Sequence, residues 1–172
     1  MSVGVRDGER MGDMPQTHEG PERIEPKGLA DYLDVLTRAV FQSGISWRVV
    51  EAKWPGTAEA FGGFDPEHIA NLMPDDVDAL ATDTRLIRNR AKIAATVQNA
   101  ETMLALDREH RSFKKYLRSF PTYDGLQTDL VKRFKFLGNM GAFWFLYVVG
   151  EETPPYEEWM ATYKPQGTGA KR

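Results

Sequence analysis

Residues 139–149, NMGAFWFLYVV, form the most apolar run in the chain, and they constrain the fold more than any other segment. The run is too short to cross a bilayer, which takes about 20 apolar residues in a helix. It lacks the polar–apolar alternation of a half-buried strand. A helix this apolar belongs at the centre of a bundle, wrapped by other elements. The rest of the chain supplies helices to do the wrapping.

Residues 29–41 place Leu33, Leu36, Val40 and Phe41 at helical spacing. A second helix is expected over 46–53, with Ser46 as its N-cap. Residues 57–61 read as a short turn that Gly62-Gly63 breaks. Asp65-Pro66-Glu67 starts a helix through Leu72, with Asp as cap and Pro in the first turn. Met73-Pro74-Asp75-Asp76 starts the next, through Leu80 or Ala81. Residues 90–106 form a long amphipathic helix with Ile93, Val97, Ala100 and Leu104 on one face. Shorter helices follow at 112–119, at 126–133 with a cap near Asp124, and at 156–163. Trp144 and Tyr147, on the apolar helix, read as core more readily than as pocket walls. No β alternation is persuasive anywhere, so the chain is expected to be an all-α, multi-helix domain without internal repeats.

The helical domain is expected over 28–163. Residues 1–27 are rich in Gly, Pro, Glu, Asp and Arg without a hydrophobic period, which predicts a flexible segment, and 164–172 read as a similar tail. The net charge of −3 leaves no global basic field, so any nucleic-acid surface is a local patch. The absence of cysteine excludes disulfides, cysteine zinc sites, iron–sulfur clusters and thiol nucleophiles. His18, His68 and His110 are too far apart in sequence to suggest a metal site. The charged N-terminus has no apolar signal core, which points to a cytoplasmic protein with no membrane partner.

Four segments carry candidate chemistry. In Phe41-Gln42-Ser43-Gly44-Ile45-Ser46-Trp47, Gly44 permits positive φ or close backbone approach. Ile45 could wedge between base steps, and Trp47 could stack on an extruded base. The same residues also read as a plain helical corner with Ile and Trp in the core. From Arg85 to Lys92 there are four cations within eight residues and no acid until Glu101. A helix-hairpin-helix aims its hairpin and the next helix N-terminus at a phosphate, although a solvated basic face fits too. The usual hairpin glycine is missing, with Arg85 in its place. Arg133-Phe134-Lys135-Phe136-Leu137-Gly138 alternates cations and aromatics, fitting a ligand wrap or a core anchor. Breaking a glycosidic bond passes through an oxocarbenium-like state that a carboxylate stabilises. Glu51, Asp124 and Asp129 are the nearest acids, and each also reads as a cap or a solvated group.

Taken together, Gln42 to Trp47, Phe64-Asp65-Pro66, Leu86 to Ile93 with Asn99-Ala100, and Arg133 to Gly138 resemble the DNA-3-methyladenine glycosylase I family of base-excision repair. That family lies within the helix-hairpin-helix DNA glycosylase superfamily. Order and separations fit as well, over roughly 29–149. The resemblance implies an all-α fold and double-stranded DNA with damaged bases as partner. It also implies hydrolytic release of a 3-methyladenine-type base, by a monomer without a cofactor. Carried over by position, Ala39, Phe41, Gln42 and Trp47 fall in the base pocket, with Trp47 as its aromatic wall. Gly44 and Ile45 become the wedge. Thr84, Arg85, Arg88, Asn89, Arg90 and Lys92 become the phosphate clamp.

The departures matter as much. The family's pocket glutamate falls on Ala39, which can neither accept a hydrogen bond from a base nor stabilise charge. The family's pocket tyrosine falls on Thr17. His18 matches one zinc ligand, but the cysteines and the C-terminal histidine motif are absent, so no structural zinc is expected. Three readings stand: a glycosylase diverged in substrate, a lesion-binding protein without chemistry, and a helical module that binds a ligand or protein through the old pocket. A carboxylate pointing into a cavity beside Trp47 separates the first from the second.

Overall fold

The computed structural model describes residues 21–169, with side chains described through Thr162. Among the described residues the secondary structure is helical, without a strand. The helices are α1 (Leu29–Gln42), α2 (Trp47–Ala60), α3 (Pro66–Ala70), α4 (Pro74–Leu80), α5 (Arg90–His110), α6 (Phe113–Leu117), α7 (Tyr123–Arg133), α8 (Asn139–Val148) and α9 (Tyr156–Gly169). A 3₁₀ turn, Gly62–Phe64, joins α2 to α3. No helix among these residues is long and apolar enough to cross a membrane.

The apolar run forms α8, where Ala142, Phe145 and Leu146 have no solvent exposure. α8 packs against α1 and α7, and α5 packs against α1, α3, α4 and α6. Each fully buried side chain of this kind contributes roughly 1.5–3 kcal/mol by leaving water. Trp54 stacks on Phe64 at 5.5 Å between centroids, and Phe41 meets Trp54 edge-on at 6.1 Å. These rings lock α1, α2 and the 3₁₀ turn together.

Several boundaries differ from the sequence-based expectation. Residues 46–61 form one helix and a cap rather than a helix and a separate turn, because Pro55 lies inside α2 without ending it. An internal proline removes a ladder bond at a cost of about 3 kcal/mol. Burial of Val50, Trp54 and Thr57 along α2 offsets that cost. α5 continues one turn past Leu106, to a left-handed cap at Arg111 (φ 74°). α7 begins at Tyr123, with Thr122 rather than Asp124 as its cap, because Thr122 Oγ1 accepts the Gly125 N–H at 3.1 Å. α9 runs on to Gly169, past the expected end at Tyr163. The stretch 21–27, expected to be flexible, is tied to α8 and the residues after it. The Ile24 N–H donates to the Val148 carbonyl at 2.7 Å. Arg23 donates to the carbonyls of Tyr147 and Glu151, and its guanidinium lies 4.2 Å from the Tyr147 ring centroid.

Candidate functional site

α1 and α2 are joined by the turn Ser43–Ser46, which is what the FQSGISW segment becomes. Gly44 takes φ 78°, the left-handed conformation that favours glycine. Ser46 Oγ accepts the Arg48 N–H at 3.2 Å and starts α2. Ser43 and Gly44 are exposed at the tip, whereas Ile45 is half-buried against the core. Trp47 is half-buried and opens α2.

Beside Trp47 lies a cavity of about 460 Å³. Asp34, Arg38 and Gln42 line it from α1, Trp47 and Glu51 from α2, and Trp144 from α8. Helical spacing explains the set: 34, 38 and 42 are four apart on α1, and 47 and 51 are four apart on α2. Pro21, Glu22 and Ile24 close one side. Trp144 therefore serves core and cavity at once, being only 6% exposed.

The polar groups of this cavity form a chain. Asp34 Oδ1 accepts the Trp54 indole N–H at 2.7 Å and lies 3.5 Å from the Arg38 guanidinium. Arg38 donates to both oxygens of Glu51, at 3.2 and 3.1 Å. Gln42 Nε2 reaches Glu51 Oε2 at 3.5 Å. Two atoms are left over: Gln42 Oε1 and Arg38 Nε are buried without a hydrogen-bond partner. An unpaired buried polar group costs about 1–3 kcal/mol, so this wall keeps one acceptor and one donor open.

The other carboxylates proposed from sequence lie elsewhere. Asp129 accepts the Tyr116 hydroxyl at 2.6 Å and Arg133 Nε at 2.7 Å. Burial pushes its carboxyl up, but these hydrogen bonds outweigh burial and hold it low. Asp124 is exposed and borders a separate cleft with Gln127 and Trp159. Ala39 and Phe41 do not line the cavity; they are 0% and 1% exposed in the core. Ala39 sits between Val35 and Gln42 on the same strip of α1, too short to reach past them. Thr17 and His18 lie outside the described residues.

The basic segment forms the α4–α5 hairpin, and most of its cations are engaged. Arg85 pairs with Asp83 at 2.7 Å and Glu59 at 3.3 Å. Hydrogen bonds from Arg85 hold the Asp83 carboxyl down to about 2. The hairpin turns without a left-handed residue at 85, because Asp83 Oδ1 accepts the Arg85 N–H at 2.9 Å. That side-chain turn stands in for the missing glycine. Arg90 pairs with Asp78 at 2.7 Å, and Asn89 caps α5 by accepting the Lys92 N–H at 3.1 Å. The Thr84 carbonyl accepts Lys53 Nζ at 3.1 Å. Arg88 is exposed and has no ion pair among the described residues.

Lys92 is a correction to the clamp. It is 5% exposed, and its ammonium donates to the Ser43 and Phe41 carbonyls at the end of α1. Burial pushes its pKa down. It holds the wedge turn from behind and cannot reach a phosphate. Seven residues on, Asn99 does the same for the RFKFLG turn: its amide accepts the Lys135 N–H at 2.8 Å and donates to the Lys135 carbonyl at 3.2 Å. Lys92 and Asn99, about 10 Å apart along one face of α5, thus fix two separate turns of the chain. The second presents Phe136, half-exposed at φ 60°.

A family profile described as methyladenine glycosylase matches residues 30–137, more than half of the chain. The chain belongs to that family. It is 37% identical to the DNA-3-methyladenine glycosylase of Haemophilus influenzae over 89 residues, which cover 52% of this chain and 48% of that protein. The chain thus spans about half the length of that relative. The Escherichia coli DNA-3-methyladenine glycosylase 1 is 29% identical over 130 residues, 63% of this chain and 70% of that one. The fold is similar to the solved 3-methyladenine DNA glycosylase I of Staphylococcus aureus, with a TM-score of 0.67, 25% identity, and 83% and 89% of the two chains covered. The all-α expectation agrees with these family structures. Position 39 on α1 is alanine, and the carboxylates lining the cavity are those of Glu22, Asp34 and, from α2, Glu51. No group of three His, Asp or Glu among the described residues could hold a metal ion.

Proposed function

We propose that the protein is a DNA-repair glycosylase that flips an alkylated base into the cavity beside Trp47 and hydrolyses its N-glycosidic bond. The observation that carries this reading is a carboxylate, Glu51, lining the same cavity as the aromatic wall Trp47. The turn with exposed Gly44 and half-buried Ile45 stands immediately before Trp47 and supplies the wedge. The α4–α5 hairpin supplies the phosphate contact through exposed Arg88 and the first N–H groups of α5, which have no intrahelical partner. Arg85 and Arg90 join through ion pairs exposed enough to exchange for a phosphate.

Alkylation makes the base cationic and a good leaving group. The glycosidic C–N bond breaks, its electron pair neutralises the base, and the sugar becomes an oxocarbenium ion. Water adds to the anomeric carbon and releases a proton. The protein's part is to hold the extruded base between Trp47 and its opposing wall, and to favour its cationic form. The substrate class is therefore duplex DNA bearing 3-methyladenine or a comparable cationic lesion, handled by a single protomer.

Incubation with methylated duplex DNA and measurement of the released base tests this. Release of 3-methyladenine is expected, and Trp47→Ala is expected to lower it about tenfold to a hundredfold, the scale of one base–aromatic stack. No release, together with tight, salt-sensitive binding to an abasic-site duplex, would favour a lesion-binding protein, the reading that the loss of the glutamate at Ala39 supports.

A further inference from the structure

We propose that Glu51 replaces the missing α1 glutamate as the carboxylate that contacts the flipped base, with Arg38 as its positioning residue and Gln42 as a second acceptor. This rests on the glycosylase reading and assigns its pocket chemistry. Three observations support it. Glu51 is the carboxylate that follows Trp47 by one helical turn, so both face the cavity from one strip of α2. Arg38 donates to both carboxylate oxygens, which fixes the direction of the group. Gln42, which is 2% exposed, belongs to the cavity lining, and its Oε1 has no protein partner. A buried acceptor of that kind awaits a donor, and the exocyclic amino group of an adenine-type base provides one.

The charge of the lining agrees. Glu22, Asp34 and Glu51 oppose Arg38 alone, leaving an excess of negative charge around the cavity. Such a wall favours a cationic base over its neutral parent. Ala39 is enclosed with no exposure and offers the cavity no polar group. Glu51 faces the cavity from α2 with a side chain 39% exposed.

The test uses the full-length protein and Glu51→Gln, which keeps the shape but removes the charge and one of the two acceptor oxygens. Three measurements are paired: release of 3-methyladenine from methylated duplex, titration of free 3-methyladenine against free adenine by indole fluorescence, and binding to an abasic-site duplex. Glu51→Gln is expected to lose about tenfold or more in release and in free-base affinity, the scale of a hydrogen bond to a charged group. Abasic-duplex affinity should change less than about twofold, because the wedge and clamp are untouched. If Glu51→Gln keeps wild-type release and free-base affinity while Trp47→Ala loses both, Glu51 is not the contact and the glycosylase reading stands. If the wild type releases no base, that reading fails, and the free-base titration alone decides the role of Glu51. Absence of any wild-type preference for the methylated base overturns it. For Arg38, rescue of free-base affinity by the conservative variant is the readout. Arg38→Gln removes the donor to both Glu51 oxygens and should weaken free 3-methyladenine binding by about tenfold, and Arg38→Lys should restore part of it. Unchanged affinity in Arg38→Gln overturns the positioning role.

Discussion

The two ends of α2 treat charge in opposite ways. At its start, Trp47 and Glu51 face a cavity whose walls keep an acceptor on Gln42 and a donor on Arg38 unpaired. Further along, Lys53, Gly56 and Glu59 meet the α4–α5 hairpin, where nearly every charge has a partner. Gly56 is what brings the hairpin so close: a Cβ there would lie 2.7 Å from the Arg85 carbonyl oxygen. The contrast teaches that the density of charge in a sequence does not locate a site. The hairpin has more cations, yet most of them hold the fold. The cavity has fewer polar groups, and two of their atoms are left without a partner.

The largest break in that contrast would come from Lys92. It reads as a phosphate contact but acts as a buried strut, so Lys92→Met should leave the Phe41 and Ser43 carbonyls without a donor. A loss of about 2 kcal/mol is expected, read as a lower urea midpoint. Reduced duplex affinity with unchanged stability would move Lys92 back to the DNA surface. Gly56→Ala comes next. Its methyl meets backbone rather than a flexible chain end, so α2 and the hairpin must part, at about 1–3 kcal/mol. Weaker duplex binding should accompany it, with free-base affinity in the cavity preserved.

Arg88→Gln probes the hairpin's exposed cation. Duplex affinity should weaken for every sequence alike, and the slope of log K against log salt should fall by about 0.9. An unchanged slope would leave the hairpin without a phosphate role at that residue. The smallest effect is alkaline. Burial lowers the Lys92 pKa from its ordinary 10.5, so between the lowered value and 10.5 the unfolded chain holds a proton that the native lysine has released. The unfolded state then binds more protons, and this group's contribution to stability rises with pH across that window. Stability curves of the wild type and Lys92→Met should draw apart over that window, because only the wild type gains.

Much of the scaffold was legible before any coordinates. The apolar run at 139–149, the Ser46 and Asp65 caps and the glycine turn at Gly44 each follow from local patterning, and each has its expected place. The misreadings share a cause. The length of α2 and the cap of α7 differ from local patterning because burial on both sides of Pro55, and a threonine one residue upstream of the helix, are settled by contacts outside the local window. The stretch 21–27 looked unstructured by composition, yet its Arg23 and Ile24 find carbonyls on α8 and just beyond it, more than 100 residues away. Among the three candidate acids, sequence spacing could not rank Glu51 above Asp124 and Asp129. The ranking depends on a cavity that α1, α2 and α8 build jointly.

By itself the sequence determined the helical class, the turn before Trp47 and the absence of a carboxylate at position 39, because these depend on residue type and short-range spacing. Only the tertiary structure decided which charges are struts and which face open space. Whether a lysine reaches solvent or a helix end, and whether a glutamine oxygen keeps a partner, depends on elements that meet across long stretches of chain. The alanine at position 39 was legible in one dimension; the placement of the Glu51 carboxylate on the cavity beside Trp47 was legible only in three.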